Sequence, residues 1–142
     1  MYRILLPTDS DDQRARRVAE AIVDLPGDPG EIKVTILNVF EEFEVTDEGP
    51  RVSSDNYFDE SDFPDSVDEV TEIFTPAGIE SEKRREHGDP TETILAVAEE
   101  IDADLIAIGG RKRSPAGKVL FGSVTQSVLI SSDRPVLVAM DD

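Results

Sequence analysis

Glycines and basic residues gather at one place in this chain. The apolar run Leu105-Ile106-Ala107-Ile108 gives way to Gly109 and Gly110. A stretch carrying Arg111, Lys112, Arg113 and Lys118 follows, and then Gly122, Ser123 and Val124. A buried strand that empties into a glycine-bearing basic loop and restarts as a helix is suited to holding an anion. Glycine lets backbone and ligand approach closely, and the first amides of a helix have no internal acceptor. Gly122, Ser123 and Val124 would offer N–H groups to a phosphate, with the Ser123 hydroxyl as a further donor. The same three residues also read as a plain helix cap. The four basic side chains would supply countercharge. A charge run is more often a solvated face, but basic residues number only 14 in this chain, so their clustering here favours a ligand.

Two other strand ends should meet this loop. Pro7-Thr8-Asp9 closes the first apolar run. Ionised Asp9 accepts hydrogen bonds only, so it suits ribose hydroxyls, and it suits the cap of the following helix equally well. Val39 ends the second run, where it could pack on a base or simply belong to the core. Competing motifs fail. Gly117-Lys118 lacks the glycine five residues earlier and the Ser or Thr afterwards that a phosphate-binding P-loop requires. No Gly-x-Gly-x-x-Gly follows the first strand. His87, the one histidine, reads as structural or solvated. No carboxylate pair has a spacing that suggests acid–base work, so a non-catalytic protein is expected.

The elements that must position these residues follow from periodicity. Residues 2–6 read as a strand, and Ala15, Val18, Ala19, Ile22 and Val23 as the buried stripe of a helix. Residues 32–39 read as a second strand. Val67, Val70, Ile73 and Phe74 mark a second helix ending near Gly78. Residues 79–87, charged on both faces, suit an edge strand. Asp89-Pro90 caps a third helix carrying Ile94, Val97, Ala98 and Ile101. Residues 103–108 form a fourth strand. A fourth helix from Ser123 uses Val124, Val128 and Leu129, and 135–140 is the last strand. Alternation of strand and helix predicts an α/β domain with a parallel sheet covered on both faces. In such sheets ligands bind beyond the carboxyl ends of the strands, where strand order reverses.

Composition narrows the rest. One domain over residues 1–142 is expected, with 41–66 as an acidic, mobile loop: that stretch holds ten acidic residues and one basic one. The chain carries 32 acidic and 14 basic residues, a net charge of −18. That opposes nucleic-acid binding and suggests a salt-rich, halophilic cytoplasm, where screening relieves self-repulsion. Cysteine is absent, which removes thiolate chemistry. No apolar run suggests a membrane span, and none near the start suggests a signal peptide.

The stretch from Gly109 to Ser123 resembles the C-terminal signature of the universal stress protein family: Gly, two residues, Gly, nine residues, Gly, then Ser or Thr. Gly109, Gly122 and Ser123 fill three places of it. Lys112 stands where the second glycine belongs, and a left-handed backbone there would strain a lysine. Ile4 to Asp9, Val34 to Val39, Gly88-Asp89-Pro90 and Ala103 to Gly109 resemble the family's other conserved segments, so the likeness, of a haloarchaeal type, runs over the whole chain. It implies a Rossmann-like three-layer sandwich of the adenine nucleotide alpha hydrolase-like type, with five parallel strands in order 3-2-1-4-5. It also implies a homodimer through residues 136–140 and ATP contacts at Pro7, Thr8, Asp9, Val39, Gly109, Gly122, Ser123 and Val124. Arg111 and Lys112 would flank the phosphates, with Mg or Mn as a possible companion ion. The expected function is a cytoplasmic stress-response module that binds an adenine nucleotide and hydrolyses ATP slowly if at all. The alternative is a dimeric scaffold that recruits a protein partner without nucleotide.

Overall fold

In the computed structural model, which describes residues 1–8, 12–41, 64–112, 119–120 and 122–141, strands and helices alternate. The strands are β1 (Tyr2–Thr8), β2 (Ile32–Glu41), β3 (Glu80–Gly88), β4 (Leu105–Lys112), β5 (Val119–Leu120) and β6 (Val136–Asp141). The helices are α1 (Asp12–Val23), α2 (Asp65–Ala77), α3 (Pro90–Glu100) and α4 (Ser123–Ser131). The parallel strands lie in the order β3-β2-β1-β4-β6. This is the expected 3-2-1-4-5 arrangement once the two-residue β5, antiparallel to the end of β4, is set aside.

Both sheet faces are buried because successive strand residues point to opposite sides. Ile4, Leu6, Val34, Ile36 and Ala107 meet Val18, Ala19 and Ile22 of α1 and Val67, Val70 and Phe74 of α2. Leu5, Leu37, Ile106 and Ile108 meet Ile94, Val97 and Ala98 of α3 and Val128 of α4. The local signals act as their chemistry dictates. Gly78 takes the left-handed conformation (φ 80°) that ends α2. The Asp89 carboxylate accepts a 3.0 Å hydrogen bond from the Glu92 amide at the start of α3.

The charged strand β3 lies at one edge of the sheet, where among the described residues it pairs with β2 alone. Its cations are matched outward: Lys83 with Asp68 at 3.0 Å, and Arg84 with Glu86 and Glu100. The hydrogen bond from Arg84 holds the Glu100 carboxyl below its usual range. The opposite edge, β6, reads Val-Leu-Val-Ala-Met.

Two strands run further than the sequence suggests, and one helix position is more exposed. Strand β1 continues through Pro7 to Thr8, which pairs with Asn38. Strand β4 does not stop at Gly109-Gly110: it runs to Lys112, because its ladder with β6 continues through Gly109–Ala139, Gly110–Met140 and Arg111–Asp141. On α4, Leu129 is off the buried stripe and 37% exposed, one position round from the fully buried Val128; Ile130 is 76% exposed. Of the expected mobile loop 41–66, Glu41 instead belongs to β2 and Asp65 and Ser66 to α2; residues 42–63 lie outside the described residues. Among those described, no helix is long and apolar enough to cross a membrane.

Candidate nucleotide site

The site begins with a splayed pair of strands. Strand β1 pairs with β2 along its whole length, but its pairing with β4 is confined to Ile4–Leu105 and Leu5–Ile106. Pro7 has no N–H to give to a neighbour, and it sits where that pairing has ended. A crevice therefore opens between the carboxyl halves of β1 and β4. This is also where strand order reverses, since the chain builds β2 and β3 on one side of β1 and β4 and β6 on the other.

A cavity of about 330 Å³ occupies the crevice, at the lower end of the ~300–1,000 Å³ usual for small-molecule sites. Pro7 and Thr8 line it from β1, Val39 from β2, Gly109 from β4, and Gly122, Ser123 and Val124 from the start of α4. These seven were all expected from sequence. Asp9, Arg113 and Lys118 lie outside the described residues, and Arg111 and Lys112 are placed by backbone alone. Lys112 pairs with Val119 as extended strand, a conformation any residue adopts, so a lysine in the place of the signature glycine brings no left-handed strain.

Helix α4 starts at Ser123, as expected, and no side chain among the described residues caps it; its N-cap is Gly122. Its φ of 82° and ψ of 157° belong to a region open in practice only to glycine. The Gln126 amide reaches back to the Gly122 carbonyl at 3.0 Å. The preceding amides, of Ser123, Val124 and Thr125, fall in the first turn, where a helix supplies no internal acceptor, and these residues line the cavity.

Gly109 also works differently from a flexible turn. It is a strand residue whose missing side chain makes room for α1. A Cβ there would come within 2.7 Å of Arg14 Cδ and nearer still to its Cγ. On the other face, Thr125 Oγ1 donates a buried 2.8 Å hydrogen bond to the Gly109 carbonyl, which fixes the α4 terminus against β4.

Seven lining residues escaped the sequence reading. Ile108 and Thr125 are neighbours of expected contacts. Pro90 and Ile94 form the edge of α3, one turn apart. Arg14, Ala15 and Val18 come from α1. The signal for Arg14 was its place four residues before Val18, on the margin of a buried stripe. Most of the lining is apolar, which suits a flat base, and its polar side chains are Thr8 on β1, Arg14 on α1, and Ser123 and Thr125 at the α4 start. Among the described lining residues there is no carboxylate and no histidine. Among the described residues, no group of three or more His, Cys, Asp or Glu could hold a metal ion.

The family model for the universal stress protein family matches residues 1–139. The chain belongs to that family. Among curated universal stress proteins, that of Mycolicibacterium smegmatis is 40% identical over 72 residues, which cover 50% of this chain and 55% of the relative. The match thus spans about half the length of that relative. A solved universal stress protein from Archaeoglobus fulgidus superposes with a TM-score of 0.70 at 26% identity, covering 97% of this chain and 98% of that one. A second from Archaeoglobus fulgidus, solved in complex with dAMP, gives a TM-score of 0.62 at 21% identity and 97% coverage of both chains. This universal stress protein therefore carries the family's three-layer fold, with its cavity at the strand-order reversal.

Proposed function

We propose that this chain binds an adenine nucleotide in the cavity between β1 and β4 and works as a homodimeric, cytoplasmic stress-response module. One observation carries the reading. The cavity joins an apolar wall, which includes Val39 and Ile94, to the amide-rich start of α4. That arrangement gives a base a dry surface and a phosphate unpaired donors. The dAMP bound by a solved relative supports the same ligand class.

Turnover is not part of the proposal. A general base must sit within hydrogen-bond reach of the proton it takes, and no described lining residue is a carboxylate or histidine. The site works by binding, and any ATP hydrolysis is slow. A divalent ion would arrive with the phosphates and depend on them for most of its ligands, Asp9 being the nearest candidate from sequence.

The dimer is supported by the β6 edge, where among the described residues β6 pairs with β4 alone. An apolar edge strand invites pairing with another strand, and the exposed Ile130 on the preceding helix adds apolar surface. Sedimentation should give twice the 15.6 kDa chain mass. A monomer at micromolar concentration contradicts the pairing. The net charge of −18 supports a salt-rich interior, and the melting midpoint should rise from dilute to molar KCl.

The functional test is a thermal melt in molar KCl with ATP, ADP and AMP. Ligand that binds only the folded chain raises the midpoint, by about 2.7 kcal/mol of stabilisation at a hundredfold excess over Kd. No shift with any of the three at millimolar concentration removes the nucleotide reading and leaves the scaffold.

A further inference from the structure

We propose that Arg14 is the phosphate-selecting residue of this cavity, so that the site takes nucleotides in preference to nucleosides. The inference rests on the nucleotide reading above and assigns it a residue outside the glycine signature. Three observations carry it. Arg14 lines the cavity from the first turn of α1. Its stem lies flat on Gly109, so closely that only glycine fits beneath Cγ and Cδ. Its Nε is buried.

Gly109 gives this packing a direction. One face of the residue carries the Arg14 stem, and its carbonyl accepts the hydrogen bond from Thr125 in the first turn of α4. The Arg14 stem and the α4 N-terminus thus meet the same strand residue from opposite layers, and Arg14 and Thr125 line one cavity. An anion held by the α4 amides lies in the space that Arg14 borders. Guanidinium–phosphate hydrogen bonds are charge-assisted and stronger than neutral ones, and a nucleoside has no group to receive them. In a chain of net charge −18, a cationic residue in the cavity lining also offsets a field that repels phosphates.

Calorimetric titration of the full chain with AMP and with adenosine, in molar KCl, tests the assignment. Arg14→Met keeps an unbranched stem over Gly109 and removes the charge. It should weaken AMP by about ten- to hundredfold and leave adenosine within twofold. Gly109→Ala, which displaces the stem, should lose AMP with the same selectivity. Arg16→Met removes an equal charge from an exposed position on the same helix and should change neither affinity. If Arg14→Met weakens both ligands equally, or neither, or if Arg16→Met matches its effect on AMP, the role of Arg14 is overturned while the nucleotide site stands. If the wild-type chain binds neither compound, the nucleotide site falls and the Arg14 assignment with it.

Discussion

Gly122→Ala should cost this protein its ligand more than its fold. A Cβ at Gly122 would meet nothing within 4 Å, so no clash enters the argument. The cost lies in the backbone: φ 82°, ψ 157° is closed to alanine. Holding that conformation costs about 1–3 kcal/mol; relaxing it swings the N-cap and with it the amides of Ser123, Val124 and Thr125. A melting midpoint a few degrees lower is expected, together with nucleotide affinity reduced at least tenfold, the equivalent of about 1.4 kcal/mol. Wild-type affinity in this variant would mean that the α4 amides do not hold the ligand.

Phe74→Ala should do the reverse. Phe74 is fully buried, the largest such side chain in the core between α1, α2 and the sheet. Removing a buried phenyl ring costs about 3–5 kcal/mol, and for a domain of this size the midpoint falls by about 10–20 °C. The site should be spared. Phe74 lies near the C-terminal end of α2, where its carbonyl accepts from the Ile79 amide just before β3 begins. That is the end at which the strands start, and the cavity opens where they finish. Titration below the lowered midpoint should return the wild-type affinity. A parallel loss of affinity would mean that the α2 layer, and not the α4 turn, shapes the cavity. The two variants thus separate what holds the sheet together from what holds the guest.

The sequence discloses strands better than cavities, for a physical reason. Burial on both faces writes itself into apolar runs such as Val34 to Leu37 and Leu105 to Ile108, and a cap such as Asp89-Pro90 needs only its own neighbours. The seven expected contacts that line the cavity lie at strand ends and a helix start, which topology alone brings together. Arg14 depends on something else. Its contact is with a residue 95 positions away, and the vacancy it fills is the absent side chain of Gly109. From sequence that glycine reads as a turn. In the structure it stays in the ladder opposite Ala139, and its small size serves helix packing. The same limit explains β4, whose extension past two glycines is decided by its partner β6 and not by local propensity. The start of α4 at Ser123 was legible from its apolar positions, but that the backbone enters it through a conformation only Gly122 can hold was not.

The central claim is that one cavity, at the reversal of strand order, receives an adenine nucleotide with its phosphate on the first turn of α4. A crystal structure of the chain grown in molar salt and soaked with AMP tests it most directly. The account predicts phosphate oxygens within about 3 Å of the amide nitrogens of Ser123, Val124 or Thr125, with the base against Val39. Nucleotide bound elsewhere on the molecule, or none in the cavity at saturating concentration, would contradict it.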